Sequence, residues 1–134
     1  MVERMKDTQI NEKGARDYIK AARLLAVSDE VLIGPLTHCQ GLAIEIALKV
    51  CIDKRGKEIP KGPNGHNLLA LHQLCPNVVL TQQQSEDLQL INVNYIGDGS
   101  LSYPSRYRPS RGRVVTSTGQ DAVESLLNAI LSQQ

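Results

Sequence analysis

One stretch, residues 35 to 53, restricts the fold of this 134-residue chain more than any other. Placed on a helix, its apolar residues recur at three- and four-residue steps, and Ile44 and Leu48 add apolar surface outside that stripe. The pattern therefore predicts the central helix of a bundle. Pro35 suits its first position, and Gly56 suits the left-handed position just past its end. The stripe consists of Leu36, Cys39, Leu42, Ala43, Ile46, Ala47, Val50 and Cys51.

A first helix is predicted before this one, from about Ala15 to Ile33. Gly34-Pro35 is expected to end it and to begin the central helix, and so short a connection predicts antiparallel neighbours. Residues 54 to 65 are rich in Gly, Pro and Lys and are predicted to form a loop without regular structure. The stripe of the first helix contains Ala15, Tyr18, Ile19, Ala22, Leu25, Ala26 and Ile33.

Three further helices are predicted from their capping residues. Asn67 is expected to cap a short helix that stops before Pro76. A capping-box pair opens a fourth helix that ends at a glycine, and a Thr and an Asp three residues apart cap the last helix. These signals are Thr81 with Gln84, Gly97, and Thr118 with Asp121, and the predicted core faces are Leu88, Ile91 and Tyr95, then Val123, Leu126, Leu127, Ile130 and Leu131.

Five helices and no convincing strand predict one all-α domain spanning residues 1–134, a five-helix up-and-down bundle with an ordered core of about residues 14–131. Hydrophobic content of 41% and charged content of 22% fit a globular protein rather than a disordered or membrane protein. The chain has neither a run of about eighteen apolar residues nor a signal-peptide pattern, so a cytoplasmic protein is expected. Its three cysteines predict reduced, buried thiols.

A long arginine-rich loop is predicted before the last helix, at residues 98–117. The net charge is only +1, yet no acid occurs between Gly99 and Gln120. Clustered arginines interleaved with tyrosines suit contacts with phosphates and bases, although a solvated charged loop is the alternative. The residues concerned are Tyr103, Arg106, Tyr107, Arg108, Arg111 and Arg113.

Two further features suggest a site. Glu45 and Lys49 have the spacing of an intrahelical ion pair, and on so apolar a helix the buried charge needs a defined partner, for which Arg106 is one candidate. His66 precedes a helix whose N-terminal amides are expected to be free for an anion, so ring and amides together could bind phosphate. The alternatives are a surface ion pair and a histidine that only packs the loop.

The sequence gives no sign of a cofactor or a metal. It contains no phosphate-binding glycine loop, nucleophile elbow or paired carboxylates. The cysteines lie on apolar stripes, where burial raises a thiol pKa, so a Cys/His dyad is not expected. A zinc site built from His66, His72 and Cys75 with His38 or Cys39 would lack any recognisable ligand spacing.

Three segments, in this order, resemble the HEPN domain family: AIEIALKVCIDKRGKEIP at residues 43–60, GHNLLAL at 65–71 and SRYRP at 105–109. The resemblance implies a helical up-and-down bundle, usually dimeric, that handles nucleotides or RNA, often beside a nucleotidyltransferase or in defence, stress or toxin–antitoxin systems. Many members are metal-independent ribonucleases in which an Arg is followed by four to six residues and then a His. This chain lacks that spacing, which argues against the activity.

The resemblance also assigns residues. It matches Glu45 and Lys49 to the family's helix motif, His66 to its Gly-His motif, and the arginine loop to its Arg-Tyr-Pro segment, with two departures at Asn67 and Arg108. The leading hypothesis is a non-catalytic module that binds a nucleotide or RNA phosphate. One alternative is a dimerising module that docks a partner such as a nucleotidyltransferase through Ile44 and Leu48, and another is a ribonuclease using His66 and Arg106. The expected phosphate-binding residues are Lys49, His66, Arg106, Tyr107 and Arg108, with Glu45 orienting them.

Overall fold

The computed structural model describes residues 11–28, 32–97 and 117–134. Within these ranges the chain is helical and contains no strand, which confirms the all-α prediction for that part. Residues 98–116, which hold nearly all of the predicted arginine loop, lie outside the described residues. The helices are α1 (Glu12–Ala26), α2 (Ile33–Lys54), a 3-10 helix (Gly62–Gly65), α3 (Leu68–Gln73), α4 (Gln82–Ile96) and α5 (Ser117–Ser132).

Helix α2 lies at the centre of the bundle, as its apolar pattern predicts. It packs against each of the other four α-helices. Ile44 and Leu48 are both fully buried, because the partners of α2 cover them as well as the main stripe. The interpretation of these two residues as a docking surface is therefore wrong, since they belong to the chain's own core.

The C-terminal end of α2 is determined locally. Gly56 has a φ of 74°, the left-handed conformation predicted for it. Its N–H donates to the Asp53 carbonyl at 2.9 Å, and the Lys57 N–H donates to the Ile52 carbonyl at 3.2 Å. These are the two hydrogen bonds of a Schellman motif, so the last carbonyls of the helix are satisfied.

Helices α3 and α4 also begin where their caps predict. The Asn67 side chain accepts from the amides of Leu69 and Ala70, which caps α3. Thr81 and Gln84 form both hydrogen bonds of the capping box that opens α4. The predicted core faces of α4 and α5 are buried.

Three boundary predictions and one loop prediction were wrong. Helix α1 ends at Ala26 rather than near Ile33, and Ile33 is instead the first residue of α2. Gly34 and Pro35 therefore lie inside the first turn of α2, where a missing N–H costs no helical hydrogen bond. Helix α5 begins at Ser117, one residue before the predicted cap. The loop after α2 was predicted to be irregular but contains the 3-10 helix.

Side-chain contacts show that α1 and α5 run antiparallel. Near the start of α1, Arg16 Nη1 donates to Asn128 Oδ1 at 3.2 Å. Near its end, Arg23 pairs with Asp121 and donates from Nε to Glu124 Oε2 at 2.8 Å. Across the described ranges, no helix has the length and apolarity needed to span a membrane.

Candidate functional site

A carboxylate lies inside the bundle at the middle of α2, and three side chains converge on it. Glu45 is only 4% exposed. Its Oε2 accepts from Lys49 Nζ at 2.8 Å, and its Oε1 accepts from the Tyr95 hydroxyl at 2.7 Å. His66 Nδ1 lies 2.9 Å from the same Oε1. Buried charge is tolerable only when it is paired in this way. Glu45, Lys49, His66 and Tyr95 are called the Glu45 cluster below.

Two glycines allow these side chains to meet. A Cβ on Gly41 would lie 2.2 Å from Tyr95 Cγ, so only glycine lets that ring pack directly on α2, one turn before Glu45. A Cβ on Gly65 would lie 2.8 Å from the Pro60 carbonyl oxygen. The absence of a side chain at this position lets the loop close beside α2 and brings His66 to Glu45.

The cluster opens to solvent at one member only. The side chains of Glu45 and Lys49 are 5% and 12% exposed, whereas that of His66 is 49% exposed. His66 Nδ1 faces Glu45, and Nε2 makes no hydrogen bond to any residue that the structure describes. The ring therefore has one nitrogen engaged with the protein and one available to a ligand or a proton.

The amides of α3 are not available to an anion, contrary to the sequence prediction. Asn67 Oδ1 accepts from the amides of Leu69 and Ala70 at 3.1 and 3.2 Å. The preceding amide, of Leu68, donates to Asn92 Oδ1 at 2.9 Å. Since protein side chains already satisfy these N–H groups, an anion beside His66 cannot use this helix end without displacing them.

The structure brings together three of the predicted residues, Glu45, Lys49 and His66. Arg106, Tyr107 and Arg108 lie outside the described residues, so the predicted pairing of Arg106 with Glu45 is also outside them.

Tyr95 is a member that sequence reasoning missed, because it was assigned only to the core face of the fourth helix. A tyrosine on an apolar stripe needs a partner for its hydroxyl, and that requirement was the available signal.

His72 and the cysteines give no second reactive centre in the described part. His72 Nε2 lies 2.8 Å from the Val78 carbonyl oxygen, a structural contact. Burial raises the pKa of the Cys39 thiol, and burial together with a hydrogen bond to Cys51 raises the pKa of Cys75 to about 12. The described ranges also contain no group of three or more His, Cys, Asp or Glu side chains placed to hold a metal ion.

A second polar group lies on the other side of α2, between α1 and α5. Gln40 Nε2 donates to Gln120 Oε1 at 2.9 Å, and both side chains are buried. Gln120 Nε2 in turn donates to Glu124 Oε2 at 3.0 Å and lies 3.3 Å from the Ile19 carbonyl oxygen. Glu124 continues to Arg23 and Asp121 at the surface. These five side chains, Gln40, Gln120, Glu124, Arg23 and Asp121, are called the Gln120 network below.

No family model, curated protein or solved structure matches this chain. The HEPN likeness therefore rests on the three short segments and on the spacing of Ala15, Tyr18, Ala22 and Leu25 in the first helix. The function has to be argued from the Glu45 cluster and from the chemistry of its exposed member.

Proposed function

We propose that this protein is a non-catalytic, HEPN-like module that binds a phosphate group of a nucleotide or RNA, with His66 at the point of contact. The observation that supports this is the arrangement around one buried carboxylate. The two oxygens of Glu45 hold Lys49 and His66 next to each other. The imidazole of His66 is half-exposed, so its Nε2 is accessible to a ligand.

The charge of the cluster favours an anion. Glu45 and Lys49 balance each other, so a protonated His66 gives the group a net positive charge. Lys49 is largely buried, so its contribution is to offset the negative charge of Glu45 next to the ligand rather than to contact the phosphate itself. His66 makes the direct hydrogen bond to a phosphate oxygen, and such charge-assisted bonds are the strong ones.

The proposal also includes the arginine loop as a second part of the binding site. Arg106, Tyr107 and Arg108 are assigned further phosphate and base contacts along the same ligand, on the basis of their composition and the HEPN resemblance. The biological setting is likewise proposed from that resemblance: a cytoplasmic defence, stress or toxin–antitoxin system, with a homodimer or a nucleotidyltransferase partner.

One observation favours a second candidate function, a metal-independent ribonuclease. A carboxylate on Nδ1 is the arrangement that orients an imidazole for general acid–base chemistry at Nε2. The chain would then need a second group, such as Arg106, to stabilise the phosphate.

The experiment is the binding of a single-stranded RNA of about ten nucleotides to wild type and to His66→Asn across a salt series. Asparagine places Nδ2 where His66 has Nδ1, so the hydrogen bond to Glu45 is kept and only the ligand-facing nitrogen is removed. We expect weaker binding and a log–log salt slope flatter by roughly 0.7, the value for one phosphate of a single strand that is no longer neutralised.

Two further variants complete this experiment. Lys54→Ala removes an exposed charge from the same helix and should leave affinity close to wild type. Arg106→Ala/Arg108→Ala should flatten the slope by roughly 0.7 for each phosphate that its arginine no longer neutralises. RNA recovered intact supports a binder, whereas fragments that disappear in His66→Asn establish the ribonuclease. Wild type that binds no RNA at low salt would refute the proposal, and so would full affinity in His66→Asn.

A further inference from the structure

We propose that this site binds phosphate with the uptake of one proton at His66. The reason is that Glu45, held in place by Tyr95, keeps the hydrogen of the neutral imidazole on Nδ1, so that Nε2 has none to donate. The inference rests on the proposed function and adds to it the protonation state of the bound form. It follows from which atoms of the cluster can donate and which can only accept.

The first step concerns Nδ1. Glu45 Oε1 accepts the Tyr95 hydroxyl at 2.7 Å and lies 2.9 Å from His66 Nδ1, while Oε2 accepts Lys49. An ionised carboxylate has acceptors only, so the contact with His66 is a hydrogen bond only if Nδ1 carries the hydrogen. Tyr95 is 2% exposed, and its hydroxyl helps to hold the carboxylate in this orientation. Tyr95 is therefore a positioning residue.

The second step concerns Nε2. A neutral imidazole has one N–H, and here that hydrogen is on Nδ1. Nε2 then presents a lone pair, which repels a phosphate oxygen. To donate to phosphate, His66 must take a proton from solution onto Nε2 and become imidazolium, while the phosphodiester stays an anion and the rest of the cluster keeps its protonation state.

The groups that surround the His66 ring leave His66 as the proton acceptor. From α2 it faces Glu45 and Lys49, which already neutralise each other, and Tyr95 from α4 hydrogen-bonds the same carboxylate. The 3-10 helix before the ring consists of Gly, Pro and Asn and cannot titrate. On the α3 side, the neighbouring Asn67 is neutral. Among the described residues, His66 is thus the member placed to change its charge on binding.

RNA affinity should be highest when His66 is already protonated, and it should fall as pH rises. The limiting slope for the uptake of one proton is about tenfold in affinity per pH unit.

The test is calorimetry of RNA binding at about pH 7.5 in two buffers of different ionisation enthalpy, because the difference in heat counts the protons taken up. The RNA has hydroxyl groups at both ends, since a terminal phosphate monoester titrates near pH 6 and would contribute protons of its own. We expect close to one proton taken up per RNA bound by wild type, and an RNA affinity that rises between about pH 7.5 and 5.5. Binding without proton uptake and without pH dependence would overturn the inference alone.

Glu45→Gln makes the test sharper. A glutamine oxygen at the Oε2 position still accepts from Lys49, while its nitrogen at the Oε1 position donates to Nδ1 and to the Tyr95 oxygen, which becomes an acceptor. Neutral His66 then carries its hydrogen on Nε2 and binds phosphate without taking up a proton, so uptake should fall towards zero while RNA binding survives at high pH. Uptake that stays at the wild-type value in this variant would contradict the role of Glu45.

His66→Asn is the second variant. The fold should tolerate this substitution, since the His66 side chain is half-exposed. It should lose both the uptake and the pH dependence, and uptake that persists in it would place the proton elsewhere. If wild type binds no RNA even at pH 5.5, the proposed function fails and the inference fails with it. The wild-type proton count decides the inference even where Glu45→Gln does not fold.

Discussion

The Glu45 cluster and the Gln120 network are two polar groups buried against the same helix, and they differ in how they end. Gln40 and Glu45 are five residues apart on α2, and both are at most 4% exposed. The Gln120 network passes through Glu124 to Arg23 and Asp121, so its hydrogen bonds end in ion pairs between the protein's own side chains. The Glu45 cluster ends instead at a half-exposed imidazole.

This difference separates a structural polar group from a candidate site. Within the described residues, the Gln120 network links α1, α2 and α5, and its charged members pair with one another. The Glu45 cluster joins α2, α4 and the loop before α3 and leaves Nε2 of His66 available. Buried polarity by itself therefore does not mark a candidate site, whereas a buried carboxylate that holds an exposed imidazole does.

Breaking the Glu45 cluster should have the largest effect on stability. Glu45→Ala leaves Lys49, which is 12% exposed, without its carboxylate and removes the acceptor of the Tyr95 hydroxyl. We expect a loss of about 3–5 kcal/mol in the free energy of unfolding, as for other broken buried pairs. Urea denaturation measures it, and a loss below about 1 kcal/mol would show a solvated, surface-like pair.

The packing under the cluster can be tested with two glycines of α2. Gly41→Ala places a methyl group against the Tyr95 ring and should destabilise the fold by about 1–3 kcal/mol, even though alanine is the better helix former. Gly34→Ala is the matched control, because a Cβ there meets nothing within 4 Å. It should be neutral or stabilising by about 0.4–1 kcal/mol. Equal melting temperatures for the two variants would contradict the close approach of α4 to α2.

Because Gln40 and Gln120 are hydrogen-bonded to each other, the stability losses of the two single substitutions should not add in the double variant. Gln40→Leu alone leaves the buried Gln120 without one partner and should cost about 1–3 kcal/mol. Gln40→Leu/Gln120→Leu removes both partners and should cost clearly less than the sum of the single changes. RNA affinity should not change in either variant. A double variant that costs the full sum, or one that binds RNA less tightly, would remove the distinction between the two groups.

Acid should weaken the ion pair between Arg23 and Glu124 at the surface end of the Gln120 network. The expected effect on stability is the smallest of these four predictions. The hydrogen bond from Arg23 holds the pKa of the Glu124 carboxyl below its usual value. A lowered folded-state pKa gives stability that is present above the unfolded pKa and is lost as pH falls through the folded value. Glu124→Gln should therefore flatten the fall of melting temperature in acid relative to wild type. An unchanged acid profile would show that the pair contributes nothing measurable.

How much of this structure could be predicted depends on how local each signal is. Gly56, Asn67 and the pair Thr81 and Gln84 act on amides and carbonyls within a few residues, so their helix ends follow from sequence alone. The end of α1 does not, because Pro35 is compatible both with a boundary and with a position inside the first turn of a helix.

The site shows the same limit. The spacing of Glu45 and Lys49 is visible in sequence, and the HEPN resemblance indicated His66. The need of the Tyr95 hydroxyl for a partner is visible in sequence, but the partner is not, because the hydrogen bond to Glu45 joins residues 50 positions apart and depends on the close approach that Gly41 allows. The occupied amides of α3 were missed for a related reason, since Asn92 reaches them from another helix.

The most direct test of the central claim is nuclear magnetic resonance of the imidazole nitrogens in ¹⁵N-histidine-labelled protein during RNA titration. In the free protein, the account predicts hydrogen on Nδ1 of His66. On addition of RNA, Nε2 of His66 should move saturably towards the imidazolium position, while the signals of His72, whose Nε2 faces the Val78 carbonyl, stay in place. RNA that binds while both nitrogens of His66 remain unchanged would contradict the account, because the ligand would then be held elsewhere.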